Sequence, residues 1–541
     1  MRGIVPKANG EIASAIKLIQ LCIPMLILIS CLLLFVTALT LILLRVLQPN
    51  ARYTWMVAAV GGILALLSTF LWLPQIPFEI VLPSWQPVSL FSTPILFRAD
   101  EISWPFAVSI AVLTLSTLLT AAARPVFVND YTWVGVLALG GVGILAVTAD
   151  NPLTLLLVWA FLDVTELLTQ LRSVEGKANN EKVVTSFSTR AFGLALLLWA
   201  NIISVGEGSA LTFQSMSASS GLYLVAAAGL RLGVFPLHLP YSSESNLRRG
   251  LGTSLRLISA ASSMVVLAHT PAESLNSIVT PFLITLAMGA TLYSGWMWLR
   301  APDELNGRPY WVISLVSLSV ISALSGNSTG AIAWGCALIL VGGTLFLSSI
   351  QINWVNRAML VGVWSLSSLP FSLTASAWLG RLGIFLPFVI VAQALTIAGF
   401  IRHALRPGER ESFESQPGWA RAVYPAGIIL LIVTQLVLAV VGWQGSLQIG
   451  AWLQALIVSL LTVGLVWATP RFRILNPIRA HWVTSTAVSR LNGIYQGLWG
   501  LYRFLARLSQ SIITTLEGEG GIMWTLLFLA LFVSLLSQGA P

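Results

Sequence analysis

The chain has 541 residues, of which 56% are hydrophobic and 9% charged, and its mean hydropathy is +0.86. A soluble globular domain carries about 25% charged residues, so water is excluded as the main solvent of this fold. The net charge of +9 sits largely on arginines in short connections between apolar runs, a distribution that orients a membrane protein and gives no support to nucleic-acid binding.

Apolar runs of about 17 to 25 residues recur along the chain, each long enough to cross about 30 Å of hydrocarbon as a helix. Unpaired backbone amides in lipid cost several kcal/mol and no run sustains a period of two, so the spans are predicted as helices and not barrel strands. In chain order they fall at 18–44, 54–73, 104–123, 132–149, 152–170, 187–205, 220–238, 255–269, 278–299, 309–325, 330–349, 358–376, 383–401, 424–443, 448–468 and 521–537. This is the pattern of an all-α integral membrane protein with about 14–16 transmembrane helices. The first run is too long for a signal-peptide core and lacks a small-residue cleavage site, which predicts a retained span. Arginines and lysines on alternate connections predict that those connections face the cytoplasm.

Cys22, Cys31 and Cys336 lie inside apolar runs without ligand spacing, so neither a disulfide framework nor a cysteine metal site is expected. Residues 403–421 read as a polar cytoplasmic loop. From 471 to 516 six arginines alternate with aromatic residues without an acidic one, and Leu498, Leu501, Leu505 and Leu508 recur at helical spacing. The expectation there is an amphipathic helix along the membrane surface, a plain interfacial loop or a brace against neighbouring subunits, followed by a last span.

Ionisable side chains at membrane depth are costly and mark ion paths or internal pairs. Asp163 and Glu166 lie mid-span, three residues apart on one helix face; Arg190 and Arg231 lie in the next two spans, and Arg256 near the start of the one after. Carboxylates and guanidiniums on facing helices would neutralise one another, so packing salt bridges and an ion path are both open readings. Pro236 and Pro370 each interrupt a span, and two such interruptions about five spans apart suit paired transporter repeats with discontinuous helices.

Arg231-Leu-Gly-Val-Phe-Pro-Leu-His-Leu-Pro240 resembles the Lys-Ser-Ala-Gln-Phe-Pro-Leu-His-Thr-Trp-Leu-Pro signature of the antiporter-like subunits of respiratory complex I and the Mrp-type antiporters. Asp150-Asn-Pro-Leu with Trp159, Thr189-Arg190 and Asp303 are similar to further motifs of that family in the same order, over about residues 130–400. The surface helix and last span resemble its distal, largest member. The resemblance implies N-terminal spans over 1–129, two inverted five-helix repeats at 130–270 and 278–402, the loop 403–421, further spans at 422–470, a lateral helix at 471–519 and a final span at 520–541. It also implies a central line of charged residues that moves protons, other membrane subunits and lipids as partners, protons or small cations as cargo, and a bacterial cytoplasmic membrane.

Departures from the pattern bear on function. Ala160 stands where the family has glutamate, Arg231 replaces the lysine of the first broken helix, Ser259 falls near the usual histidine or lysine, and Arg381 is the best match in the second broken helix. The only lysines are Lys7, Lys17, Lys177 and Lys182, none in the central line. Arginine does not give up its proton at accessible pH, so proton translocation is expected to be impaired or altered. Asp163 one turn beyond Ala160, Arg256 one turn before Ser259, and His238 and His269 are the remaining candidates for the line. Three functions compete: a subunit that still carries protons, a non-pumping scaffold, and a subunit of an inorganic-carbon uptake or cation/proton antiport system. No nucleotide loop, nucleophile elbow or metal set appears, so no catalytic site, cofactor or metal is expected in this chain.

Overall fold

The computed structural model describes residues 25–48, 54–82, 94–123, 130–173, 177–209, 212–239, 249–350, 352–378, 382–406, 417–441 and 452–471. Two compact units are distinguished: the first holds residues 1–84 and 93–468; the second, 85–92 and 469–541, lies outside the described residues except for the last turn of one helix. The predicted lateral helix, the final span, Cys22 and Arg381 fall outside them as well.

The described part is a bundle of helices. They are α1 (Leu26–Leu47), α2 (Thr54–Phe70), α3 (Ser103–Ala121), α4 (Asp130–Thr148), α5 (Pro152–Ser173), α6 (Lys177–Gly206), α7 (Ala218–Arg231), α8 (Arg249–Ala268) and α9 (Thr280–Arg300). There follow α10 (Glu304–Leu324), α11 (Ser328–Leu347), α12 (Asn353–Met359), α13 (Val361–Leu366), α14 (Leu386–Ala404), α15 (Gly418–Val441) and α16 (Trp452–Arg471). Twelve helices among the described residues are apolar enough, at 18 to 24 residues, to cross a membrane; at 1.5 Å per residue that length matches the hydrocarbon layer.

Two of the expected full spans are interrupted. The run at 220–238 leaves the helix after Arg231, and the run at 358–376 holds only the short helices α12 and α13. Neither proline is itself the point of rupture. Gly233 (φ 80°) turns the first chain out of its helix three residues before Pro236, and Ser368 (φ 58°) and Phe371 (φ 59°) flank Pro370 in the left-handed region.

The sequence reading also missed a two-stranded antiparallel hairpin, β1 (Phe78–Leu82) with β2 (Ile95–Ala99), in register from Phe78 opposite Ala99 to Leu82 opposite Ile95. Strands of five residues are too short to span lipid, and the hairpin seals helix ends instead: Asp150 N–H donates to Leu96 O at 3.1 Å, and Leu96 N–H to Thr154 Oγ1 at 3.1 Å.

The core is formed by α3, α8, α10 and α11, whose spanning windows are 94 to 100% buried, while those of α1 and α6 are 33% buried and turn Leu32, Val36, Phe192 and Trp199 outward. Cys31 and Cys336 are buried in this packing. Following the chain through its crossings, Arg45, Arg249, Arg300, Arg357, Arg402, Arg406 and Arg421 lie at one end of the bundle. The other end carries Glu79, Asp100, Glu101, Asp150, Glu207 and Glu273 with Arg98.

Candidate functional site

The central charges meet because of helical spacing on α5. Leu155, Trp159, Leu162, Asp163, Glu166 and Gln170 form its buried face, while Leu157, Phe161, Val164 and Leu168 are exposed. On α6 the matching buried stripe is Val183, Ser186, Arg190, Leu197 and Ala200, with Gly193 among them.

Arg231, at the last turn of α7, donates from both guanidinium ends to Asp163, Nη1 to Oδ2 at 2.6 Å and Nη2 to Oδ1 at 2.8 Å. Its Nε donates to Ser263 Oγ at 3.2 Å, Nη1 also to Arg190 O at 3.4 Å, and the guanidinium carbon lies 4.2 Å from the centre of the Trp159 ring. Trp159 is held by its own bond to Ser262 O at 3.1 Å. Arg190 grips Glu166 with both ends, Nη2 to Oε1 at 2.8 Å, and passes within 3.8 Å of Asp163 Oδ1. Gln170 Nε2 donates to Glu166 Oε1 at 2.6 Å.

The result is a continuous ladder, Arg231, Asp163, Arg190, Glu166, Gln170, of which the four charged members are at most 4% exposed. Two carboxylates against two guanidiniums give zero net charge, which is how the burial cost is met: fork-to-carboxylate pairs supply charge-assisted bonds on both oxygens. Of the other expected site residues, Arg256 is fully buried on α8, one turn from Ser259, whose carbonyl accepts from Ser263 Oγ at 3.4 Å. His238 lies in the first break, its Nδ1 2.8 Å from Pro236 O. His269 lies apart from the ladder, at the hairpin end of α8, stacked on Phe213 with ring centres 5.1 Å apart. Asp303 caps α10, its Oδ1 accepting from Asn306 N–H at 2.8 Å.

The second break contains no charged side chain among its described residues. Gln393 Nε2 donates to Leu366 O at 2.7 Å and Ser368 Oγ at 2.9 Å, and its Oε1 accepts from Trp378 Nε1 at 2.9 Å. Thr374 Oγ1 donates to Ser365 O at 2.8 Å, and Ser365 Oγ donates to Gln435 Oε1 at 2.9 Å. Neutral amides and hydroxyls thus satisfy the backbone that the interruption frees. Sequence reasoning missed Gln393 and Gln435; an amide inside an apolar run was the available signal. It also missed Glu304, 1% exposed, which pairs with Arg249 at 2.5 Å and with Arg406.

At the opposite end from Glu304, Asp150 is 3% exposed and its Oδ2 lies 4.0 Å from Arg98 Nη1. Burial pushes its carboxyl up to about 6, Arg98 opposing and Asp100 and Glu79 adding to the rise.

Among the described residues, twelve helices long and apolar enough to cross a membrane, with two interrupted runs and a buried neutral ladder between them, make this a polytopic integral membrane protein, and its fold matches those of antiporter-like membrane subunits. A chain of the Mrp complex from Dietzia sp. DQ12-45-1b superposes with a TM-score of 0.69 at 16% identity, over 94% of this chain and 62% of that one. A chain of the membrane-bound sulfane sulfur reductase, an archaeal respiratory membrane complex, gives 0.67 at 15% identity over 93% and 99%. Respiratory complex I from Thermus thermophilus gives 0.55 at 19% identity over 76% and 98%. In sequence, NADH-ubiquinone oxidoreductase chain 2 of Polypterus ornatipinnis is 24% identical over 263 residues, 44% of this chain and 71% of that protein. No family model matches the chain. The chain spans about 62% of the Mrp chain's length, and at these identities the structural likeness is one of fold.

Proposed function

We propose that this chain is an antiporter-like membrane subunit of a multi-subunit complex of the complex I or Mrp type, whose own charged line holds the fold together and does not relay protons. The observation that carries the reading is the two-ended bond between Arg231 and Asp163. A relay needs a group that takes up and releases protons near neutrality, as lysine does when its basicity is shifted; a guanidinium stays charged. Both oxygens of Asp163 are engaged, and the described residues of the second break carry no charged side chain and are bonded to neutral amides and hydroxyls. The two interruptions support two inverted repeats at 130–270 and 278–402, inherited as architecture. Other membrane subunits are the partners, a reading supported by structural neighbours that are chains of multi-subunit membrane complexes.

The test is proton flux in reconstituted vesicles beside thermal melting of the same preparations. Wild type and Asp163→Asn should show the same flux as protein-free vesicles, while the variant loses stability by about 3 kcal/mol or more because Arg231 is left buried without its counter-charge. Arg231→Lys should keep the fold. A wild-type flux that Asp163→Asn abolishes would overturn the reading in favour of a subunit that carries protons.

A further inference from the structure

The hairpin end of the bundle is stitched together around a carboxyl group that takes no part in the stitching. Asp150 sits in the turn between α4 and α5. Its N–H donates to Leu96 O of β2 at 3.1 Å, and its carbonyl accepts from Phe213 N–H at 2.9 Å. On either side of it Phe97 bridges to Ala149, Asn151 Nδ2 donates to Pro94 O at 2.9 Å, and Leu96 N–H donates to Thr154 Oγ1 at 3.1 Å. One residue thus joins the hairpin, the α4–α5 turn and the segment 212–216.

The Asp150 side chain is enclosed by this junction, yet its Oδ2 has no hydrogen-bond partner among the described residues. Each element packed around it contributes a group. From β2, Arg98 brings its Nη1 to 4.0 Å from Oδ2 but donates instead to Gln214 Oε1, at 3.2 Å, on the uncharged segment 212–216. Glu79 of β1 is exposed and stands opposite Arg98 in the strand register. Before α3, Asp100 uses Oδ1 to accept from the N–H groups of Ile102 and Ser103 at 3.0 and 2.8 Å. At the end of α8, His269 stacks on Phe213; burial pushes its imidazole below the usual range, Asp100 opposing and Arg98 adding to the fall. A neutral carboxyl suits this enclosure. An ionised one would face one guanidinium, beyond hydrogen-bond distance, together with the carboxylates of Asp100 and Glu79.

We propose that Asp150 is a proton-operated latch: protonated, it lets the hairpin close on the α4–α5 turn, and ionised, it loosens the hairpin and the segment 212–216 so that water reaches the carboxylate. The carboxyl titrates at about 6, so the latch is fastened below that pH and released as pH rises through it. It lies at the end of the bundle away from the arginines, and therefore responds to acidity on the side opposite the cytoplasm.

Amide hydrogen exchange on the detergent-solubilised full chain tests this, followed over 94–99, 149–151 and 212–216 and referred at each pH to the intrinsic exchange rate. Local opening should rise about tenfold between about pH 5 and pH 7, as linkage requires of a carboxyl that titrates at about 6 when closed and at about 4 when open. Exchange in the buried α11 should stay constant over the same range. Asp150→Asn should abolish the rise and keep exchange slow throughout. Arg98→Gln should move the pH at which opening levels off upward, because an attraction for the ionised form is lost; Glu79→Gln, at an exposed position that leaves the fold undisturbed, should move it downward. Exchange in the wild type that ignores pH, a rise that survives Asp150→Asn, or shifts of the opposite sign in the two charge variants would each overturn the proposal.

Discussion

Arg231 reaches Asp163 through a gap left by a missing side chain. A Cβ on Gly193 of α6 would lie 2.4 Å from Arg231 Cγ, so the glycine admits the arginine stem between α6 and α7. Lysine's single ammonium could occupy the same tunnel, but only the planar fork engages both carboxylate oxygens and stacks on Trp159. Asp150 is the other residue whose setting has a measurable consequence. Its carboxyl is raised to about 6 by burial, so the folded chain binds that proton more tightly than the unfolded one. Stability from this group is therefore fully present below the ordinary aspartate range, falls as pH rises through about 6, and is constant above. Asp150→Asn should flatten that fall and raise the melting temperature at about pH 8, measured on detergent-solubilised protein between about pH 4.5 and 8. A variant that melts lower at alkaline pH would show that Arg98 outweighs burial.

The two interrupted elements solve one problem with different chemistry. At the first, the chain turns at Gly233 and re-forms backbone bonds locally, Val234 N–H to Gly229 O at 2.8 Å and His238 N–H to Gly233 O at 3.0 Å. At the second, side chains from other helices supply the partners, Gln393 from α14 above all. Gln393→Leu should leave Leu366 O and Trp378 Nε1 buried without these partners and cost about 2–4 kcal/mol. The expected readouts are a lowered melting temperature and faster amide exchange over 365–378; unchanged exchange there would mean that the break does not depend on Gln393. Both prolines were legible as interruptions, since proline removes a helix donor. The residues that execute the turns, Gly233 and Ser368, were not, because their φ values follow from what packs around them.

For the molecule as a whole, among the described residues, most helix-end arginines gather at one end of the bundle, with Asp303 and Glu304 beside them, and most carboxylates at the other, and the positive-inside tendency predicts that the basic end faces the cytoplasm. Arg357 is exposed at the first end and Glu273 at the second. In intact cells carrying Arg357→Cys or Glu273→Cys, a membrane-impermeant thiol reagent should label only the second, and the first should react only after the membrane is opened. The reverse pattern would invert the assignment.

Hydropathy and period were enough to determine, from the sequence alone, that lipid is the solvent, roughly where most of the described spanning helices lie, and that Asp163 and Glu166 share a face, because each of these is a local or one-dimensional property, while helix ends missed by up to ten residues and two expected spans proved interrupted. Only the tertiary structure decided which arginine each carboxylate meets. It also decided that Glu304 joins Arg249 and Arg406 from distant parts of the chain, and that two five-residue strands separated in sequence by residues 83–94 pair and close on Asp150. Those contacts depend on how helices cross in space, where a glycine admits a side chain or a hairpin covers a helix end, and no spacing along the chain encodes them.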